Sequence, residues 1–195
     1  MKNEITRKSI HISSILLPIS YKYIFGYDKR ITLLLFVTIA IISIVIELLR
    51  LENKNFRKYF HLFFGVILRK HELHDFTGAS YLLTSAIVCV AFFPPEIAFV
   101  SMAFLSIGDS LAALIGIKFG KRKFYNSDKT LEGSLACFVS TFIFGLFVFK
   151  DMPFLAFLGA FSVTLAEATS FKIDDNVKIP IISGIVMSLA TIFVS

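Results

Sequence analysis

The sequence predicts an all-α integral membrane protein, a bundle of about seven transmembrane helices with its N-terminus in the cytoplasm. Three observations predict it. First, 56% of the 195 residues are hydrophobic and mean hydropathy is +0.77, whereas a soluble domain holds about 45–50% apolar residues. Second, the excess is gathered in long runs. Ile31–Leu49 carries a single charge, Glu47, near its end, and an apolar run of about 18 residues or more is long enough to cross a bilayer. Several such runs along one chain exclude a removable signal sequence as their explanation. Third, the basic residues are unevenly shared between alternate loops.

The spans read from the sequence are Ile10–Phe25, Ile31–Leu49, Phe76–Phe93, Ile97–Phe119, Leu131–Phe149, Phe154–Ser170 and Ile179–Val194. The first is the least apolar and the last is short, which suits tilted or partly interfacial segments. Phe56–Lys70 mixes basic and aromatic residues and reads as an amphipathic helix lying in the interface. With seven spans, only Lys22, Lys29, Arg30 and Lys150 fall opposite the N-terminus, and every other Lys and Arg falls on its side. Cytoplasmic loops collect Lys and Arg, so this bias places the N-terminus inside. The surplus of six positive charges is thereby assigned to membrane loops and not to a nucleic-acid partner. Cys89 and Cys137 each lie in an apolar run without metal-ligand spacing, as small core residues do. No internal repeat or second domain is visible, so residues 1–195 read as one membrane-embedded catalytic domain.

Asp109 is the most informative residue. It lies well inside the fourth span, where a carboxylate costs about 2.5–3.5 kcal/mol on insertion scales and normally faces a polar cavity, a partner charge or a metal. The structural alternative is an acid neutralised by a packed cation. At 100° per residue, Gly116 and Gly120 fall within about 20° of Asp109 on the helix. Taken alone, Gly116-x-x-x-Gly120 is a helix-packing seam. The seam runs on into Lys121, Arg122 and Lys123, then Lys129-Thr130-Leu131-Glu132-Gly133. Accessible backbone beside several cations and an acid suits a polyphosphate with its Mg²⁺. Thr130 and Glu132 also fit an N-cap and a first-turn acid opening the fifth span.

A second acidic group comprises Glu167 and Asp174-Asp175-Asn176, with Pro180 expected to open the last span. Mg²⁺ is usually held by one or two carboxylates plus substrate phosphates, so Asp109, Asp174 and Asp175 are the candidate metal ligands. Glu132 and Glu167 are alternative candidates for a catalytic base. Arg7, Lys8 and His11 precede the first span, Glu47 can pair with Arg50, and Arg69, His71, Glu72 and His74 precede the third. His71-x-x-His74 has a metal-ligand spacing, but ordinary solvation at the interface is the simpler reading.

Taken in order, these residues resemble the polyprenol kinase family, which includes dolichol kinase, phytol kinase and the CTP-dependent diacylglycerol kinases. The resemblance runs through Arg7-Lys8-x-x-His11, Glu47, Arg69-x-x-Glu72 with Thr77-Gly78-Ala79, Gly108-Asp109-Ser110 to Gly120-Lys121, Lys129-Thr130-x-Glu132-Gly133, and Asp174-Asp175-Asn176-x-x-Ile179-Pro180. It implies a kinase that moves the γ-phosphoryl group of CTP to a lipid alcohol with a divalent cation. It also implies that Arg7, Lys8, Asp109 and Gly116 are essential. The nucleotide would meet Arg7, Lys8, Gly116, Gly120, Lys121, Lys129, Thr130 and Gly133, on the cytoplasmic face. The central block is also similar to phosphatidate cytidylyltransferase, which makes CDP-diacylglycerol, but that enzyme's long C-terminal signature is missing. The non-enzymatic alternative is a small ion-coupled transporter using Asp109 and Glu167. A transporter needs no cation cluster beside a glycine stripe, and no two-fold repeat is visible.

Overall fold

The computed structural model describes residues 11–65, 68–69, 71–124, 129–169 and 173–194. The described residues are overwhelmingly helical. A broken stretch comes first: a 3-10 turn at Ser13–Ile15, helix α1 at Leu16–Ile19 and a π turn at Ser20–Ile24. It overlaps the expected first span but is not one regular helix. Asp28 then caps α2 (Lys29–Glu52), its carboxylate accepting from the backbone N–H of Arg30 at 2.8 Å and Ile31 at 3.0 Å. Asn53 ends α2 and caps α3 (Lys54–Phe64), so one residue both stops a membrane-length helix and starts the amphipathic one. On α3, Tyr59, Leu62 and Phe63 are exposed, as expected of a helix with an unpartnered apolar face.

Helices α4 (Gly78–Phe92) and α5 (Pro95–Phe104) follow, and α5 continues through a π turn at Leu105–Asp109 into α6 (Ser110–Phe119). Then come α7 (Leu131–Val148), α8 (Pro153–Ala168) and α9 (Asp175–Val194). Among the described residues, four stretches are long and apolar enough to cross a membrane: Lys29–Glu52, Pro95–Phe119, Leu131–Val148 and Asp175–Phe193. Gly78–Phe92 and Pro153–Ala168 are apolar but shorter.

Pro95–Phe119 is the centre of the bundle. Of its apolar window 78% is buried inside the protein, against 22% for Lys29–Glu52. Val100 and Phe104 on the central stretch pack with Val90, Leu155, Val163, Ile179 and Met187 from α4, α8 and α9. By contrast α2 touches the bundle along α4 and exposes Leu34, Ile41 and Ile42. An apolar belt of that extent requires lipid or a partner to cover it, and the protein is a membrane protein.

Two local features depart from the expected spans. Pro180 lies inside α9, which begins at Asp175. Asp174 starts the helix instead: its Oδ1 accepts from the Asn176 N–H at 2.9 Å and its carbonyl from the Val177 N–H at 3.0 Å. Asp175 and Asn176 are therefore first-turn residues and not part of an open loop. The π turn at Leu105–Asp109 is the second departure. It needs glycine at 108, because a Cβ there would lie 2.9 Å from Thr141 Cγ2 and 3.0 Å from Cys137 Sγ on α7. That close approach delivers Asp109, the last residue of the turn, into the interior.

Candidate active site

Asp109 is 5% exposed and its Oδ2 lies 3.2 Å from His11 Nε2. It lines a cavity of about 610 Å³. Ile39, Ile42 and Ile46 from α2 and Leu82 and Leu83 from α4 form its apolar wall, and Phe60 and Phe64 of α3 close one side. Its polar end carries His11, Glu47, Arg69, Glu72, Asp109 and Asn176. A largely apolar chamber with a few converging polar groups is the usual form of a small-molecule site.

The polar end is built by two carboxylates that receive the start of α4. Glu47 Oε1 accepts from the Thr77 backbone N–H at 3.2 Å and from the Thr77 hydroxyl. Glu72 Oε1 accepts from the Gly78 N–H at 2.8 Å, and its Oε2 from the Arg69 N–H at 2.7 Å. A negative charge is favourable at a helix N-terminus. Arg50 completes the arrangement. It is fully buried and donates from Nε to Glu47 Oε2 at 2.8 Å and from Nη1 to the Glu72 carbonyl at 2.6 Å. The expected Glu47–Arg50 pair is present, but the depth of Arg50 was not legible from its place at the end of a span. Arg69 meets Asp174 Oδ2 at 3.0 Å.

A second charged cluster lies where α7, α8 and α9 begin or end. Lys129 Nζ sits 3.1 Å from Glu167 Oε1 and 2.9 Å from Asp175 Oδ2. Asp175 Oδ1 also meets Lys178 Nζ at 2.8 Å, and Lys178 donates to the Thr169 carbonyl at 2.6 Å. Ser134 donates to Glu167 Oε2 at 2.9 Å. Burial alone would lower the Lys129 pKa, but the charges of Asp175 and Glu167, with a smaller contribution from Asp109, hold it above the ordinary lysine value. Sequence reading did not single out Lys178 or Ser134. Only their helical spacing from Asp175 and Thr130 hints at their place.

Lys129 belongs to a loop whose ends are paired. Lys123 bridges Thr130, with the Leu131 N–H on the Arg122 carbonyl at 2.9 Å and the Phe124 N–H on the Lys129 carbonyl at 3.0 Å. Thr130 Oγ1 caps α7 by accepting from the Gly133 N–H at 3.1 Å. Glu132 is half-buried and accepts from the Arg122 N–H at 3.3 Å. Lys121 is exposed beside it. The glycine stripe is a packing seam as well: a Cβ on Gly116 would lie 3.0 Å from Thr130 Oγ1, and one on Gly133 2.7 Å from the Ala112 carbonyl. Gly120 packs onto the same threonine.

The structure thus brings Asp109, His11, Glu47, Arg69, Glu72 and Asn176 around one cavity. It brings Lys129, Glu167 and Asp175 into one cluster. Glu132 stands apart from both, and Arg7 and Lys8 lie outside the described residues. Asp174 and Asp175, expected beside Asp109 as metal ligands, are engaged by cations. Among the described residues no group of three or more His, Cys, Asp or Glu is placed to hold a metal ion. His74 is exposed.

No family model matches the chain, and no solved structure matches it. Curated proteins do match. An uncharacterized protein of Rickettsia prowazekii is 30% identical over 90% of this chain and 88% of its own length. The CTP-dependent diacylglycerol kinase of Saccharomyces cerevisiae is 29% identical over 96% of this chain and 73% of its own length. The chain belongs to the polyprenol kinase family. Dolichol kinase of Saccharomyces cerevisiae, another lipid kinase, is 32% identical over 45% of this chain and only 18% of its own length. For this member of the polyprenol kinase family, the match to the yeast diacylglycerol kinase is long enough to take in both charged clusters and the cavity.

Proposed function

We propose that the chain is a CTP-dependent lipid-alcohol kinase, transferring the γ-phosphoryl group to a membrane lipid hydroxyl of the diacylglycerol or polyprenol type. The relatives' names support CTP as donor. The observation that carries the reading is Asp109: it is buried at the lining of an apolar chamber, and the helix it leads into packs against α7, whose start holds the charged cluster of Lys129. A phosphoryl-transfer site needs those two neighbours, an acceptor that is mostly hydrocarbon and a donor that is mostly phosphate.

Lys121 and Lys129, with Arg7, Lys8 and the accessible backbone near Gly116, Gly120 and Gly133, would bind the triphosphate. Asp109 fits a Mg²⁺ ion held by one carboxylate together with the nucleotide's own phosphates. Bound there, Mg²⁺ would neutralise charge on the transferring phosphoryl group. Asp174 and Asp175 fit that role poorly, since Arg69, Lys129 and Lys178 already occupy them. Glu167 orients Lys129, and Glu132 braces the loop; neither lines the cavity. The lipid hydroxyl oxygen attacks the γ-phosphorus and gives up its proton to solvent, the bond to the CDP oxygen breaks, and CDP leaves. Positioning and charge neutralisation supply most of the rate in such transfers.

The seven-span topology is part of the proposal, as one unit over residues 1–195. The uneven distribution of Lys and Arg supports a cytoplasmic N-terminus and a site on that face. The test is to incubate the purified protein with CTP labelled at the γ or the α position and a panel of lipid alcohols and phosphatidate. Label from the γ position should reach lipid, with CDP as by-product. A CDP-lipid product from phosphatidate, with release of pyrophosphate, would overturn the kinase reading in favour of a cytidylyltransferase.

A further inference from the structure

We infer that α3 is a binding surface for anionic phospholipid headgroups, which Lys54 and Lys58 hold on the face opposite its aromatic residues. The inference goes beyond the proposed reaction and does not depend on it. Helix α2 runs for 24 residues, about 36 Å at 1.5 Å per residue, enough to cross a hydrocarbon core of about 30 Å. Its end therefore lies at a membrane surface, and α3 starts there with only Asn53 between them. Asn53 Oδ1 accepts from the N–H of Asn55 at 2.9 Å and of Phe56 at 3.1 Å. Arg57 reaches back to α2, donating from Nε to the Arg50 carbonyl at 3.0 Å and from Nη2 to the Leu51 carbonyl. Cap and arginine together fix α3 at the level where headgroups begin.

The two faces of α3 differ. At 100° per residue, Phe56, Tyr59 and Phe63 fall within about 60° of one another, and Lys54 and Lys58 lie on the far side, about 40° apart. Tyr59 is 64% exposed and Phe63 74%, so the protein itself does not cover the aromatic face. A bilayer surface covers it, with the rings among the upper acyl chains and the ammonium groups among the phosphates. The charges favour anionic over zwitterionic lipid. Helix α3 contains no Asp or Glu, and Lys54 and Lys58 are exposed. Among the described residues neither lysine takes part in a hydrogen bond or ion pair. Arg57 differs, being committed to the α2 carbonyls. A lysine near an anionic bilayer strengthens association about 5-fold, whereas a zwitterionic headgroup already matches its phosphate with its own cation. The Phe60 edge of α3 is turned to the bundle, with Arg50 5.5 Å from its ring centroid. Phe60 and Phe64 wall the cavity, so the lipid that holds α3 also holds that wall.

The chain contains no tryptophan, so one introduced indole reports without background. Phe63→Trp puts it on the aromatic face of α3, and Phe147→Trp, at a position 70% exposed on α7, reports on bulk lipid. Each full-length variant is reconstituted without nucleotide in phosphatidylcholine nanodiscs in which one lipid in ten is phosphatidylglycerol. A bromine label is carried on the acyl chains of the phosphatidylglycerol in one sample, and of an equal amount of the phosphatidylcholine in the other. Quenching at position 63 should be at least about 2-fold stronger with labelled phosphatidylglycerol, and equal for the two labels at position 147. With Lys54→Gln and Lys58→Gln added, the difference at position 63 should vanish. Equal quenching by both labels at position 63 in the lysine-bearing chain overturns the inference, as does no quenching there at all or a difference that survives the glutamine changes. A difference abolished by inorganic phosphate at matched ionic strength assigns the lysines to a soluble anion and overturns it too. No step uses CTP or turnover, so failure here leaves the kinase reading intact, and absence of γ-label transfer leaves this surface intact.

Discussion

The cavity beside α2 and the cluster around Lys129 hold many of the same residue types and do opposite things with them. In the cavity lining, Glu47 is paired with the buried Arg50 and bonded to Thr77, and Glu72 accepts from the backbone N–H groups of Arg69 and Gly78. Around Lys129 the carboxylates of Glu167 and Asp175 serve to hold the ammonium charged. One region sets buried acids beside a hydrocarbon-lined chamber, and the other pairs its lysines with carboxylates close to the loop that carries Lys121–Lys123. Asp109 stands between them. In the proposed reaction, placement and not composition separates an acceptor side from a donor side.

The largest effect should come from breaking the junction. Asp109→Asn keeps the shape and removes the charge, and turnover should fall on the order of 10²-fold or more while melting temperature is kept or rises. A stable variant with near-normal turnover would remove Asp109 from the reaction. A drop in melting temperature with proportionate loss of activity would make it only the partner of His11.

On the acidic side the next largest change is structural. Arg50→Met strands Glu47 in a buried position, and removing one partner of a buried ion pair costs about 3–5 kcal/mol. Denaturation in detergent should show that loss, and Glu47→Gln combined with Arg50→Met should recover part of it. No recovery in the double variant would show that the backbone contacts of Arg50, and not its charge pairing, hold α4 in place. On the donor side, Gly133→Ala drives a Cβ to within 2.7 Å of the Ala112 carbonyl. Overpacking of this kind costs about 1–3 kcal/mol, read as a lower melting temperature. An unshifted melting curve would mean that the α6–α7 seam is loose enough to admit other ligands.

The smallest effect is a pH dependence. The folded-state pKa of Lys129 is raised, so its contribution to stability is complete below the ordinary lysine value, about 10.4, and is lost only as pH rises through the raised one. Melting temperature should therefore show no loss traceable to Lys129 between neutral pH and about pH 10, in comparison with Lys129→Gln. A Lys129-dependent decline below that range would show that the carboxylates do not outweigh burial.

Much of this contrast was legible in the sequence because charge inside an apolar run is conspicuous. Asp109, Glu47 and the Lys129–Gly133 block stood out for that reason. The cavity was not legible. It depends on how far α2 stands from α4, which is set by side chains in contact across more than 30 positions of sequence, and periodicity within one helix carries no such information. Nor was the π turn, since Gly108 announces close packing only once Cys137 and Thr141 are known to lie opposite. The glycine stripe shows the other limit. Its spacing alone pointed to a packing seam, and only the cations and acid that follow it suggested backbone open to phosphate; the structure shows the seam.

The separation of the two sides is tested most directly by a pair of steady-state measurements on Lys129→Gln and Leu82→Trp. Lys129→Gln should raise KM for CTP several-fold and leave KM for the lipid alcohol unchanged, and Leu82→Trp should do the reverse. If either substitution moves both constants together, donor and acceptor do not occupy separate sides of Asp109, and the two-sided site is contradicted.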